Sequence, residues 1–187
     1  MQTIALIGNG TYFNCSRLLQ QYDVIIALDG GANHCQRLGI TPQHSLGDGD
    51  SITQPTADFQ IIPDQTTTDL QKGIQFAQQH YPHCIIDAFC VTSHDRLDHT
   101  MAALLHPDIS TVYTPHQKIT QVTTELHLST TPGNQVSVVN IAGCQWSGAQ
   151  IRLDADHSGL SNRSTTEQVT ITLQSGAVLV ITEQLWT

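Results

Sequence analysis

The chain has 187 residues, and its 7 Lys+Arg against 16 Asp+Glu give a formal net charge of -9. Hydrophobic residues make up 39% and charged residues only 12%, the latter about half of the ~25% usual in soluble domains. The acidic balance argues against broad nucleic-acid binding, which needs clustered basic side chains against phosphates, and against docking on an anionic membrane surface. A cation or a metal-bound nucleotide is an easier guest. The length fits one large domain or two small ones. No apolar run approaches the ~20 residues needed to cross a bilayer. The start, Met1-Gln2-Thr3-Ile4, lacks the basic region of an export signal, so a cytoplasmic protein is expected. The cysteines, Cys15, Cys35, Cys84, Cys90 and Cys144, are odd in number and show no C-x-x-C spacing, which reads as reduced thiols. Triplets at Asn9, Asn14 and Asn162 match the glycosylation pattern and are read as accidental without that signal.

In chain order, short apolar runs at Thr3–Ile7, Val24–Leu28, 59–62, 84–91 and Thr111–Tyr113 alternate with helical segments near 15–21, 32–38, 69–79 and 97–105. In the third of these, Leu70, Ile74 and Ala77 recur at i, i+4, i+7, one face of a helix. Such alternation predicts an α/β domain with a mainly parallel sheet and flanking helices. After about Pro115 the period changes. Val136, Val138, Val139 and Ile141 run nearly at period two. Val169, Ile171 and Leu173 alternate cleanly with Thr170 and Thr172. Pro132-Gly133-Asn134 and Ser175-Gly176 are turn signals, and the second predicts a hairpin over 168–181 with glycine at a positive φ. The expected fold is an α/β domain, residues 1–115, followed by a smaller all-β antiparallel sandwich or barrel, residues 116–187.

Parallel sheets bind ligands beyond the carboxyl ends of their strands, and four groups of chemically able residues fall at such ends. Asp29-Gly30-Gly31-Ala32-Asn33 follows the second run; it is either a plain strand-to-helix turn or a close approach of backbone to an anion. Gly47-Asp48-Gly49-Asp50-Ser51 sets two carboxylates on one side of an extended segment, about 7 Å apart. It is either a Gly/Asp surface turn or a seat for magnesium, which prefers oxygen ligands. In Gln65-Thr66-Thr67-Thr68-Asp69-Leu70-Gln71-Lys72, Thr68 and Gln71 form a capping box. Asp69 suits the positive helix end, and Lys72 either pairs with Asp69 or reaches a phosphate. In Ser93-His94-Asp95-Arg96-Leu97-Asp98-His99, Asp95 is a candidate N-cap, Asp98 a first-turn acid, and Arg96 a planar fork suited to phosphate. The standard alternatives fail. Gly8-Asn9-Gly10 lacks the third glycine of a dinucleotide fingerprint, and neither Lys72 nor Lys118 follows a glycine as in a P-loop. No G-x-S-x-G elbow or H-E-x-x-H helix is present.

Taken in order, the four groups resemble the thiamine pyrophosphokinase (thiamine diphosphokinase) family, whose pattern is D-G-G-A-N, G-D-x-D-S, Q-D-x-T-D-x-x-K and G-G-R-x-D-H, then a compact β domain with an S-N dipeptide. The matching residues are Asp29, Gly30, Gly31 and Asn33; Asp48 and Asp50; Gln65, Thr68, Asp69 and Lys72; Arg96, Asp98 and His99; and Ser161-Asn162. The resemblance spans about residues 4–181. Three departures stand out: Gly49 where the family has a bulkier residue, Thr66 in place of an acid, and His94-Asp95 in place of two glycines.

The resemblance implies an ATP-dependent diphosphotransferase that gives thiamine diphosphate and AMP. It implies Mg²⁺ held by Asp48, Asp50 and Asp69, with Asp98 a fourth acid or the group orienting the hydroxyl. Lys72 and Arg96 would face the phosphates. Asp29, Gly30, Gly31, Asn33, Gln65, Thr68 and His99 would hold the nucleotide, and Ser161 and Asn162 the thiamine. Residues 1–115 would be the nucleotide-binding catalytic domain and 116–187 the thiamine-binding one. A homodimer with the active site at the subunit interface is also implied, with ATP and thiamine as partners and neither nucleic acid nor membrane. The departures leave two alternatives: a pyrophosphokinase acting on another small alcohol such as a hydroxymethylpterin, or an inactive nucleotide- or thiamine-binding relative.

Overall fold

A computed structural model of the chain describes residues 1–53, 55, 58–141, 145–149, 151–152 and 159–184. The chain divides into two compact units, with the division after Pro115.

The first unit, beginning at Met1, holds strands β1 (Thr3–Ile7), β2 (Val24–Leu28), β3 (His44–Gly47), β4 (Phe59–Ile61), β5 (Ile85–Phe89) and β6 (Thr111–Tyr113). They lie in the order β6-β5-β1-β2-β3-β4, and each neighbouring pair is parallel. Helices α1 (Ser16–Leu19), α2 (Gly31–Leu38), α3 (Asp69–His80) and α4 (Leu97–Leu105) connect them. The central strands are apolar throughout: Ile4, Ala5, Leu6 and Ile7 are fully buried, and so are Ile26 and Ala27. That is what a strand covered on both faces requires. The helices match the sequence period, though α1 shrinks to a single turn. Asp95 does not cap α4; Arg96 stands at the N-cap and makes no side-chain capping bond. The backbone N–H of Asp95 instead donates to Ser93 Oγ. Cys15, Cys35 and Cys90 are buried free thiols and Cys84 is half-buried; Cys144 lies outside the described residues.

One strand of this unit was not legible in the sequence. β3 reads His-Ser-Leu-Gly and carries only one large apolar side chain, Leu46. It is nonetheless paired to β2 through Ile26↔His44, Ala27↔Ser45 and Leu28↔Leu46. The sheet neighbours, not the local pattern, make it a strand.

The second unit contains β7 (Gln117–Val122), β8 (Glu125–Ser129), β9 (Gln135–Asn140), β10 (Gln145–Ala149), β11 (Ile151–Arg152), β12 (Asn162–Ser164), β13 (Gln168–Ser175) and β14 (Val178–Glu183). Within this unit the strands form two antiparallel layers, β11-β12-β9-β14-β7 and β10-β13-β8. The predicted hairpin over 168–181 does not form. β13 pairs with β8 and β10, whereas β14 pairs with β7 and β9. Gly176 does take the positive φ of a turn, at 80°, but the turn carries the chain from one layer to the other. Both strands are apolar on one face, and Val169, Ile171 and Leu173 share a core cluster with Val178 and Val180. Meeting face to face across a sandwich buries both apolar rows at once.

Candidate active site

The site grows from the register of β2 and β3. Because Leu28 pairs with Leu46, the residues that follow, Asp29 and Asp48, leave the sheet at the same rim. The N–H of Asp29 extends the ladder by donating to the Leu46 carbonyl at 2.8 Å. A Cβ on Gly47 would sit 2.7 Å from the Cβ of Asp29, so only glycine lets the two strand ends lie this close. Asp29 itself adopts φ 44°, a left-handed conformation that Asp and Asn tolerate better than most side chains.

That conformation turns the Asp29 carboxylate, 3% exposed, toward the next loop. Oδ1 accepts the Gly49 N–H at 3.0 Å and Oδ2 accepts the Ser51 N–H at 3.1 Å. Gly49 meets this demand with φ 85°, a conformation that costs a bulkier residue far more. Asp48, Asp50 and Asp29 then converge: one carboxylate oxygen from each lies within 4.8 Å of the others. Asp48 accepts the Gln65 side-chain amide at 2.9 Å and the Asp50 N–H at 3.3 Å. The Gln65 donation, followed by that N–H, holds the Asp48 carboxyl below its ordinary pKa. Asp50 accepts the Ser51 hydroxyl at 2.7 Å.

The capping box at the start of α3 forms as the sequence predicts, with Thr68 Oγ1 accepting the Gln71 N–H and Gln71 answering to the Thr68 N–H. It sets Asp69 and Lys72 on one face, where Lys72 Nζ donates to Asp69 Oδ1 at 3.0 Å. The Lys72 side chain is only 4% exposed and that of Asp69 33%. Burial raises the Asp69 pKa, the Lys72 ammonium opposes that rise, and the charges of Asp48 and Asp29 add to it. Among the described residues, the converging trio is therefore Asp29, Asp48 and Asp50, with Asp69 in their electrostatic reach as the partner of Lys72 rather than a fourth member.

The remaining candidates lie at the start of α4, in the second unit and at the start of α2. At the start of α4, Arg96 grips Asp98 with two bonds, Nε to Oδ1 at 3.2 Å and Nη2 to Oδ2 at 3.1 Å, and also contacts His99 Nε2. Both partners of that ion pair are well exposed, and the Arg96 guanidinium lowers the Asp98 pKa. In the second unit, Ser161 is exposed and takes φ 55°. Asn162, 1% exposed, donates its side-chain amide to the Gly159 carbonyl, which braces that turn. Asn33 likewise reaches backbone: its Nδ2 donates to the Ser51 carbonyl and its Oδ1 accepts the Thr53 N–H, each at 3.0 Å. The pairing of Asp29 with Asp48 and Asp50 is the feature that sequence reasoning missed. Its signal was present in the matching Leu-Asp and Gly-Asp strand ends, but only a recognised β3 makes them neighbours.

A family description, the thiamin pyrophosphokinase catalytic domain, matches residues 15–123, more than half of the chain. The chain belongs to the thiamin pyrophosphokinase family. Solved thiamin pyrophosphokinases share its fold. The enzyme from Bacillus subtilis superposes with a TM-score of 0.82 at 17% identity, covering 98% of this chain and 99% of the other. A probable thiamine pyrophosphokinase from Staphylococcus saprophyticus gives 0.71 at 24% identity, covering 98% and 99%. Yeast thiamin pyrophosphokinase gives 0.72 at 12% identity, covering 97% and 86%. No sequence among the curated proteins matches at a significant level.

Proposed function

We propose that the chain is a magnesium-dependent thiamine diphosphokinase whose chemistry is built on the Asp29–Asp48–Asp50 rim of the first unit. Family membership supports the reaction class. The observation that carries the site is the convergence of three carboxylates beside a buried lysine. Three hard oxygen donors are the chemistry that magnesium selects. Asp48 and Asp50 would hold it, together with Asp29 or the sequence-expected Asp69. When bound, the ion would neutralise charge on the phosphates of ATP.

The chain's own groups do the rest by positioning and charge. Lys72, fixed against Asp69, faces the nucleotide's phosphates as a point charge with donors to spare. Arg96 adds a planar fork suited to a second phosphate oxygen pair once Asp98 yields it. Asp98 orients the acceptor hydroxyl, whose oxygen attacks the β-phosphorus while the bond to the bridging oxygen of AMP breaks and the hydroxyl proton passes to solvent. The turn at Gly30 and Gly31, together with Gln65, Thr68 and His99, borders the nucleotide. Ser161 and Asn162 border thiamine, and the active form is a homodimer in the cytoplasm. Among the described residues no helix is long and apolar enough to cross a membrane.

The test is direct: purified protein with ATP, Mg²⁺ and thiamine should release AMP and thiamine diphosphate in equal amounts. Release of AMP only with a hydroxymethylpterin would move the acceptor. Calorimetric binding of ATP or thiamine without AMP would make the chain a non-catalytic relative.

A further inference from the structure

We propose that Asn33 is a positioning residue, whose side-chain amide clamps the acid loop so that Asp48 and Asp50 stay turned toward Asp29 as one divalent-cation cradle. The proposal rests on the metal-dependent reading given above. Asn33 lies in the first turn of α2, half-buried. Its carboxamide makes two hydrogen bonds of opposite sense to the loop's backbone, Nδ2 donating to the Ser51 carbonyl and Oδ1 accepting from the Thr53 N–H, both at 3.0 Å. Asp29, four residues earlier, takes the N–H groups of Gly49 and Ser51. Ser51 is thus held at its N–H by one side chain of this turn and at its carbonyl by the other. The Ser51 hydroxyl passes the constraint on to Asp50 Oδ1 at 2.7 Å.

The physical need for such a clamp is repulsion. Three carboxylates whose oxygens gather within 4.8 Å push one another apart, and more strongly where one of them is buried. A loop entered through Gly49 is free to swing away unless its backbone is tied down. Asparagine suits the task because it supplies both a donor and an acceptor without adding a fourth negative charge. Aspartate would leave the Ser51 carbonyl without a donor, and alanine would leave both backbone groups without partners.

The test uses Mn²⁺ as a paramagnetic stand-in, titrated into the protein without nucleotide and followed by electron paramagnetic resonance. Asn33→Ala and the apolar near-isostere Asn33→Leu should each weaken Mn²⁺ binding about tenfold, as loss of an outer support typically does. In turnover, the Mg²⁺ concentration giving half-maximal rate should rise by about the same factor, while the thermal midpoint of the metal-free protein stays near that of the wild type. A general loosening of the fold would lower that midpoint. Wild-type Mn²⁺ affinity in both variants would overturn the clamp, as would a lowered kcat with unchanged metal affinity, which would put Asn33 against substrate. Asp48→Asn separates the two readings. If it too binds Mn²⁺ normally, the metal site itself is wrong; if it loses Mn²⁺ while the Asn33 variants keep it, only the clamp is wrong.

Discussion

The acid rim and the start of α4 are built from the same residue types and organised in opposite ways. At the rim, Asp29 is 3% exposed and both of its oxygens are taken by loop amides. Lys72 is 4% exposed and pinned by Asp69. At α4, the side chains of Arg96 and Asp98 are 58% and 68% exposed and satisfied mainly by each other. The first arrangement is set by the fold before any ligand arrives. The second is a pair of solvated groups, free to exchange partners at little cost. Preorganised charge is the part of a site that favours the transition state most, so under the proposed function the rim would carry the fixed chemistry and α4 the adaptable contact.

The largest expected effect is the contrast of Asp48→Asn with Asp98→Asn. Removing the Asp48 charge should lower kcat by roughly 10²–10³-fold, the range for losing one preorganised electrostatic group, with the thermal midpoint nearly unchanged. The exposed Asp98 should cost far less than Asp48 in a steady-state assay of AMP release; equal losses would erase the distinction between rim and helix end.

A smaller contrast separates the two cations. Lys72→Met keeps the buried stem and removes the charge, and it should raise the KM for ATP about tenfold, or roughly 1.4 kcal/mol of binding. Arg96→Met should leave stability to urea essentially unchanged, as for other exposed pairs. An unchanged KM in Lys72→Met would return that lysine to a purely structural pairing with Asp69.

The smallest effect concerns the loop that delivers Gln65 to Asp48. Asp64 accepts the N–H and hydroxyl of Thr66 and the hydroxyl of Thr67. These bonds, Thr66 first, lower its pKa from 3.8 to about 2. A carboxyl depressed in the folded state adds stability that is complete above its unfolded pKa and lost as pH falls through the folded one. Asp64→Asn should therefore be less stable than the wild type at neutral pH, and the two should converge between about pH 4 and pH 2. Urea unfolding across that range measures it; a constant gap down to pH 2 would show that the charge of Asp64 is not what the Thr66–Thr67 turn needs.

Much of this molecule can be read from local chemistry. The alternation of apolar runs and 3.6-period segments marks the α/β unit, and the capping box at Thr68 and Gln71 places Asp69 and Lys72 on one helix face. The four acid-bearing groups carry the family resemblance. Their spacing could not show which acids meet. β3 has a single large apolar residue, and its strand character comes from β2 beside it. Without β3, Asp29 and Asp48 are 19 residues apart with no reason to touch. The same holds for β13 and β14, where the turn at Ser175-Gly176 was visible and its destination was not. A turn fixes a reversal of direction, while the burial of two apolar faces decides whether the strands pair edge to edge or stack.

The amino-acid order by itself determined the helices and the more apolar strands, the capping box of α3 and the inventory of acids, lysine and arginine, because these depend on neighbours within one or two helical turns. Only the tertiary structure decided that Asp29 joins Asp48 and Asp50, that Lys72 is buried and that Asn33 grips the acid loop. Those contacts depend on which strand lies beside which, and strand order is settled by how apolar faces across the whole unit are covered.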